Sequence, residues 1–213
     1  MKFGPEAARR WSDAAYADPQ HYLAHRAELV RTMGPHLERG DTVLDLACGD
    51  AGLADFLLPH GLGYVGVDSS PHMVEAARER LGDRAKVEIG TVDDYRPATS
   101  VAATSIFRGI YYATDRPVFF RRAAGFTEKK LVFDLNPRQY RLEVVREELA
   151  DAGFDSLAVR PFFVPQTVAL PRAALRLLIA AERIRPIAQA LLRVRFTYLC
   201  AAFRSAPASS SER

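Results

Sequence analysis

The chain of 213 residues, 48% hydrophobic and 26% charged, has the length and composition of one globular domain, so we do not expect a large second domain. Its first ten residues are polar and lack the apolar stretch that a secretion signal needs, so we expect a cytoplasmic protein. Cys48 and Cys200 stand alone in apolar runs and the five histidines are scattered, which argues against a disulfide and a metal site.

Two helices are predicted at the start of the chain. Residues 5–16 and 20–37 carry helical patterns, and Asp18-Pro19 separates them because proline disfavours helical geometry in the residue before it. We interpret residues 1–39 as an N-terminal helical cap. His21 and His25 lie one turn apart on the second helix, where we expect exposed positions rather than a zinc pair.

From residue 42 onward, short apolar and β-branched runs alternate with helical patterns, which predicts an α/β fold with a mostly parallel sheet between helices. The helix after the second strand is the best delimited, with Ser70 as its cap, Pro71 in its first turn and Gly82 at its end. Seven strands are predicted, at 42–47, 63–68, 85–90, 103–108, 130–135, 157–163 and 196–203.

The C-terminal part of the chain is rich in arginine. Residues 165–204 contain seven arginines and one acid, a net charge of +6 in a chain whose total is +3. Residues 164–195 predict an amphipathic helical insertion before the last strand, interrupted at Pro186. The insertion is too charged to span a membrane, and three interpretations stay open: a helix packed on the core, a roof over a ligand site, or a surface that meets an anionic membrane.

The main domain is expected to run over residues 40–205, with the insertion inside it. The serine- and alanine-rich tail, residues 206–213, is expected to be disordered because it has no apolar pattern.

A strand running into small residues carries the most specific signal. Residues 43–52 read Val-Leu-Asp-Leu-Ala-Cys-Gly-Asp-Ala-Gly, and a helix is expected to begin near Ala51. The loop lacks the G-x-G-x-x-G spacing of a pyrophosphate site. Asp45 and Asp50 lie beside it and would repel a phosphate but not a cation. A zwitterionic cofactor with sulfonium and ammonium groups, S-adenosylmethionine, therefore fits this loop better than NAD.

The ends of the next two strands add polar groups suited to a nucleoside. Asp68 follows the loop at the spacing expected of an acid that accepts both ribose hydroxyls. Residues 91–94, Thr-Val-Asp-Asp, end the third predicted strand where an adenine edge would lie. Either acid taken singly also suits an ordinary strand end, whereas the ordered set of three strand ends indicates a nucleoside site.

Together these residues resemble the Rossmann-fold, class I family of S-adenosylmethionine-dependent methyltransferases, with the closest likeness in residues 43–49 and a good one over 40–160. The resemblance implies a Rossmann-like fold and S-adenosylmethionine as cofactor. It places Asp45 at the methionine ammonium, Ala47 and Gly49 along the methionine and sugar, and Asp68 at the ribose. The cofactor-binding residues that it implies are Tyr22, Arg26, Asp45, Ala47, Gly49, Asp68, Ser69, Met73, Val92, Asp93 and Arg108.

Some of these positions depart from the family's pattern or keep an ordinary alternative. Thr91 stands where the family often has an acid, and Ala47 and Ala51 replace commoner glycines, which weakens the adenine assignment most. Tyr22 and Arg26 resemble the pair that closes over the methionine carboxylate in similar enzymes, and surface packing is the alternative for both.

Catalytic residues are less well marked, because methyl transfer depends more on in-line positioning and water exclusion than on an acid–base pair. Tyr111 and Tyr112 follow the fourth predicted strand and are candidates for positioning an acceptor. His21 and His25 are candidates for accepting its proton. All four also suit packing or surface positions, and no metal is expected.

The resemblance implies an enzyme that methylates an oxygen, nitrogen or carbon atom of a small or lipid-like molecule, with peripheral contact to an anionic membrane as an open alternative. Nucleic acid is not expected, since the Asn/Asp-Pro-Pro-Tyr signature of base methylation is missing and the basic segment is interleaved with leucines. Two other functions remain: a methyltransferase-like protein that binds the cofactor without turnover, and an NAD-dependent oxidoreductase. The acceptor and the oligomeric state are not determined by the sequence.

Overall fold

The structure is a computed structural model that describes residues 4–192 and 197–205. These residues contain a seven-stranded sheet of order β3-β2-β1-β4-β5-β7-β6. Strand β7 runs antiparallel to β5 and β6, and the other neighbouring pairs are parallel. This confirms the predicted α/β class. The strands are β1 (Thr42–Leu46), β2 (Gly63–Asp68), β3 (Lys86–Ile89), β4 (Val101–Ile106), β5 (Thr127–Leu135), β6 (Ser156–Pro161) and β7 (Tyr198–Phe203).

Helices cover both faces of this sheet, and the pleat of β1 shows how. Val43 packs in a cluster with residues of α3, α4 and α5, whereas Leu44 and Leu46 pack with α6 and α7. Asp45 shares the face of Val43 because side chains alternate along a strand, so it lies on the α3 side. The helices are α1 (Pro5–Arg9), α2 (Trp11–Ala15), α3 (Pro19–Thr32), α4 (Ala54–Leu57), α5 (Pro71–Leu81), α6 (Arg116–Phe126), α7 (Leu142–Asp151), α8 (Arg172–Arg183) and α9 (Arg185–Leu192).

A buried lysine joins α3 to the sheet. Lys130 of β5 is fully buried, and its Nζ donates to the carbonyls of Arg31 (3.0 Å) and Met33 (2.8 Å) at the end of α3. These bonds satisfy carbonyls that a helix end leaves without partners. Burial lowers the pKa of Lys130 to about 7. The lysine therefore fixes the end of α3 relative to the strands that form the site.

Local backbone conformation explains where predicted helix boundaries fail. The predicted helix 5–16 is two helices that divide at Arg10. The predicted helix 20–37 ends at Thr32, because Met33 is extended and Gly34 has a φ of +64°. The helix expected near Ala51 begins at Ala54, because Ala51 is left-handed with a φ of +56°.

The insertion contains two helices, as predicted from Pro186. The break between them lies at Ile184, where the backbone is extended, and Pro186 falls in the first turn of α9. Residues 193–196, where the insertion meets the last predicted strand, lie outside the described residues, and so does the tail, residues 206–213. The division of the chain into a cap of residues 1–39 and a main domain of 40–205 stays a prediction.

Candidate functional site

A cavity of about 870 Å³ lies at the carboxyl ends of β1, β2 and β4 and the loop after β3. This edge of a parallel sheet is where ligands bind in open α/β folds. All the predicted cofactor residues line the cavity except Tyr22, together with both predicted tyrosines, Tyr111 and Tyr112. These residues come from α3, from α5 and from the ends of β1 to β4, so the fold brings together positions that are distant in the sequence.

The loop after β1 is held in an unusual backbone conformation. Ala47, Gly49 and Ala51 are all left-handed, with φ of +57°, +59° and +56°. Alanine adopts this region at a cost, so the two alanines store strain of the kind found at ligand sites. The amide of Cys48 donates to the carbonyl of Val67 at 3.0 Å, which fixes the loop to β2.

Asp68 is oriented by this loop. Its Oδ2 accepts from the Gly49 amide and its Oδ1 from the Ser70 amide, both at 2.9 Å. A carboxylate has about four lone-pair positions, so both oxygens can still accept further bonds. The acid is thus organised to take two hydroxyl donors at once.

Asp45 forms the floor of the cavity on the α3 side. It is 4% exposed and accepts from the Tyr64 hydroxyl and the Ser105 hydroxyl, both at 2.7 Å. Burial raises the pKa of Asp45 to about 6, although both hydrogen bonds act in the opposite direction. A cation placed at this carboxylate would compensate its buried charge.

Arg26 is buried in a cage of aromatic rings at the cavity wall. Its guanidinium lies 4.3 Å from the centre of the Phe107 ring and 4.7 Å from that of Tyr22. One Nη donates to the Tyr22 hydroxyl at 2.9 Å and reaches Asp134 at 3.4 Å, while the buried Nε has no hydrogen-bond partner in the described structure. Tyr22 therefore holds the Arg26 guanidinium in place through this hydrogen bond and does not itself line the cavity. Asp134 was not predicted as part of this network.

Arg108 follows strand β4 and lines the cavity. Its backbone is left-handed, with a φ of +51°. Its amide donates to Asp134 at 2.7 Å, which holds this conformation. Its guanidinium lies 5.8 Å from the Trp11 ring, and one buried Nη has no partner in the described structure. Asp134 thus links the two arginines of the cavity.

The predicted adenine end is held by contacts between loops. Val92 is buried, and the Asp93 carboxylate accepts from the Thr114 amide (3.1 Å) and hydroxyl (2.6 Å). These hydrogen bonds lower the pKa of Asp93. The Arg122 guanidinium donates to the carbonyls of Val92 and Asp93. The loop is therefore fixed to α6 and to the segment before it.

Both predicted tyrosines line the cavity. Tyr111 and Tyr112 are half exposed, with ring centres 4.4 Å apart. Burial and the hydrogen bond that Tyr111 donates to Tyr112 raise the pKa of Tyr111 to about 12. Tyr111 is therefore protonated near neutral pH, which suits it to positioning a molecule rather than to accepting a proton.

The structure brings neither predicted histidine to the cavity. Asp18 caps the start of α3 by accepting from the His21 amide at 3.1 Å, and the His21 ring pairs with the same carboxylate at 2.8 Å. His25 is 7% exposed, not an exposed helix residue as expected, and its Nε2 lies 2.6 Å from Glu182 of α8. This partner is 157 residues away, so no local pattern could reveal it.

The N-terminal cap covers the cavity through residues that were not predicted to do so. The Trp11 ring lies against Gly49, where a Cβ would approach it to 3.0 Å. The Ser12 hydroxyl and amide donate to Asp50 at 2.6 and 3.1 Å, and Arg80 pairs with the same carboxylate at 2.8 Å. Asp50 therefore holds the cap in place at the wall of the cavity. None of the described residues of the insertion lines the cavity. The roof over the ligand site, one of the interpretations of the insertion, is therefore formed by the N-terminal cap instead.

The comparisons with known proteins agree with this geometry. Residues 43–130, from β1 into β5, match a family described as methyltransferase domain. No curated protein matches the sequence.

Solved structures show the same fold at low identity. A chain from the complex between the Haloferax volcanii Trm112 methyltransferase activator and a methyltransferase is 20% identical, with a TM-score of 0.63 over 95% of this chain and 97% of that one. The Haemonchus contortus phosphoethanolamine N-methyltransferase 2 with S-adenosyl-L-methionine is 16% identical, with a TM-score of 0.66 over 97% of this chain but only 58% of that one. Magnesium protoporphyrin IX methyltransferase from Synechocystis PCC 6803, with bound cofactor, is 14% identical, with a TM-score of 0.60 over 92% and 79%.

Proposed function

We propose that the chain is an S-adenosylmethionine-dependent methyltransferase, because residues 43–130 match a methyltransferase domain. We propose further that it methylates an oxygen, nitrogen or carbon atom of a small or lipid-like acceptor. The observation that carries the proposal is the cavity lined jointly by Asp45, Asp68, the Gly49 loop, Tyr111 and Tyr112.

The residues present fit the cofactor that the family uses. The Asp45 carboxylate is suited to the methionine ammonium, and the unpartnered Nε of Arg26 indicates a donor still available near the methionine carboxylate. Asp68 is suited to the ribose hydroxyls, and the Gly49 amide orients one of its oxygens. The remaining predicted residues, Ala47, Ser69, Met73, Val92, Asp93 and Arg108, are proposed to complete the contacts.

When bound, S-adenosylmethionine supplies a methyl group activated by its sulfonium. The chain's own contribution is to orient both reactants and exclude water. Trp11, Tyr16 and Leu23 cover the cavity from the N-terminal side. No histidine is among the described residues that line the cavity, and burial raises the pKa of the Cys48 thiol well above its usual value. We therefore propose an acceptor whose reacting atom does not need a protein base.

The size and lining of the cavity support a small or amphipathic acceptor. Its volume of about 870 Å³ lies within the range of small-molecule sites, roughly 300–1,000 Å³. Phe107, Tyr111 and Tyr112 offer apolar surface at the acceptor end, and Arg108 adds a charged group. The names of two similar structures refer to phosphoethanolamine and to a magnesium porphyrin, so the shared fold accommodates very different acceptors.

Partners and location follow from the same features. No helix in the described part of the chain is long and apolar enough to cross a membrane. We propose a cytoplasmic protein that acts on small or lipid-like molecules rather than nucleic acid, with peripheral attachment to an anionic membrane through a surface outside the cavity.

Transfer of a labelled methyl group tests the proposal. The protein is incubated with methyl-labelled S-adenosylmethionine and a cell extract, which is then separated into small-molecule, lipid, protein and nucleic-acid fractions. Label is expected in the small-molecule or lipid fraction with the wild type and not with Asp68→Ala. Enzyme-dependent label confined to nucleic acid or protein would overturn the acceptor class.

A further inference from the structure

The outer side of α8 is an amphipathic surface that no described element covers. Leu177 is 72% exposed and Ile184 is 47% exposed, large values for side chains of this size and type. Together with the exposed Ala173 and Ala180 they recur at spacings of three and four residues, so they form one stripe along the helix. We call these four residues the apolar stripe of α8.

A row of arginines runs beside this stripe. Arg172, Arg176 and Arg183 are exposed and follow one another at spacings of four and seven residues, which places them on one side of the helix. At about 100° per residue, this row is turned by roughly a quarter circle from the apolar stripe. Apolar and positive groups are therefore presented side by side to solvent.

The inner side of the helix explains why the outward charge is entirely positive. Leu175 is buried in the core cluster that also contains residues of α3. Glu182, the single acid of α8, faces inward, where its oxygens contact His25 (2.6 Å) and accept from the Phe163 amide (2.6 Å). The contacts that fix α8 to the body therefore use up its negative charge.

We propose that this surface docks on an anionic lipid bilayer. Lipid headgroups supply the negative charge that the arginine row requires, and the acyl boundary accepts the apolar stripe. A second copy of the chain would bring two positive rows together, which charge repulsion opposes. Arg204 of the C-terminal segment serves the fold instead, since it donates to the carbonyls of Ala124 (2.7 Å) and Gly153 (3.2 Å).

The docking surface lies outside the cavity, so its test is independent of methyl transfer. The full chain is sedimented with vesicles of phosphatidylcholine alone or of phosphatidylcholine mixed with phosphatidylglycerol. Binding is expected only to the mixed vesicles, and salt near 1 M should release it because the screening length falls to about 3 Å. Cofactor affinity, measured on the same samples, reports separately on the proposed function.

Variants identify the surface responsible. Replacing Arg172, Arg176 and Arg183 with glutamine should weaken partition onto the mixed vesicles about a hundredfold, because each arginine contributes a factor of about five. The matched control replaces the exposed Arg121, Arg138 and Arg146 with glutamine and should retain binding apart from the small effect of net charge. Leu177→Ser should weaken partition about tenfold, and Val144→Ser on α7, where the side chain is 37% exposed, should not.

Four outcomes would overturn the proposal: no binding to mixed vesicles, equal binding to neutral vesicles, equal loss in the two arginine triples, or a Leu177-dependent dimer that does not bind vesicles. An unchanged melting temperature in the variants ensures that lost binding reports on the surface rather than on folding.

Discussion

At the scale of single residues, the interpretation depends most on Asp68, whose two oxygens are oriented by the Gly49 and Ser70 amides. Asp68→Ala should weaken binding of S-adenosylhomocysteine by about 2 kcal/mol or more, since hydrogen bonds to a charged acceptor contribute roughly 1.5–3 kcal/mol each. Calorimetry of the folded variant measures this loss. Asp151→Ala, at an exposed and unpaired position on α7, is the control, and equal affinities in both variants would place the ribose elsewhere.

The raised pKa of Asp45 predicts that cofactor binding depends on pH. Its pKa is raised to about 6 by burial, so the carboxylate is ionised above this pH and neutral below it. Since the ionised form pairs with the ligand ammonium, affinity should be constant near pH 7 and fall as pH decreases through 6, reaching about tenfold weaker at pH 5. The effect on stability is opposite to that of an acid whose pKa is lowered by folding. Because folding raises the pKa of Asp45, the free energy of unfolding of the free protein decreases as pH rises from about 4 to 6.

Calorimetric titrations between pH 5 and 7 check this prediction. Asp45→Asn should bind more weakly and lose the dependence, because its amide does not titrate in this range. A pH profile that is identical in the wild type and in Asp45→Asn would show that another group titrates.

At the scale of elements, Ser12 and Asp50 join the cap to the loop that follows β1. Ser12→Ala removes a buried hydrogen bond of 2.6 Å to a charged acceptor, which contributes roughly 1.5–3 kcal/mol. Docking of the cap should weaken by this amount, and bound S-adenosylhomocysteine should dissociate about tenfold faster. Trp11, the single tryptophan of the chain, lies against Gly49 and provides the fluorescence signal for stopped-flow measurement.

The exposed Ser100→Ala variant is the matched control and should dissociate at the wild-type rate. Unchanged dissociation in Ser12→Ala would mean that the cap does not control ligand release.

The elements differ in how far local sequence determines them. Helix α5 has the predicted limits because Ser70 accepts from the Met73 amide, Pro71 fits the first turn and Gly82 ends the helix. The strands were predicted within a few residues, because buried parallel strands are continuous apolar runs. The start of α4 was missed because Ala51, an alanine, adopts a left-handed conformation that its residue type does not signal.

The site shows the same division between local and long-range information. Asp45, Gly49 and Asp68 could be predicted because strand ends and their spacing are local features. The cover provided by Trp11 and the burial of His25 could not, because their partners, Gly49 and Glu182, are distant in the sequence. Helix periodicity identified an amphipathic insertion but could not tell which of its apolar residues face the core.

At the scale of the whole molecule, the fold places two surfaces on different parts of the chain. The cavity lies at the carboxyl edge of the sheet beneath the N-terminal cap, and the amphipathic surface of α8 is fixed to the same cap helix, α3, through His25 and Glu182. The two surfaces can therefore be tested separately, the first with soluble ligands and the second with vesicles.

The central claim is that the cavity binds an adenosyl amino acid rather than a dinucleotide. Calorimetric titration of the wild-type protein with S-adenosylhomocysteine and, separately, with NAD tests it most directly. We predict binding of S-adenosylhomocysteine at micromolar concentration, on the order of −8 kcal/mol, and much weaker binding of NAD. Tighter binding of NAD, or no binding of S-adenosylhomocysteine by the folded protein, would contradict the assignment.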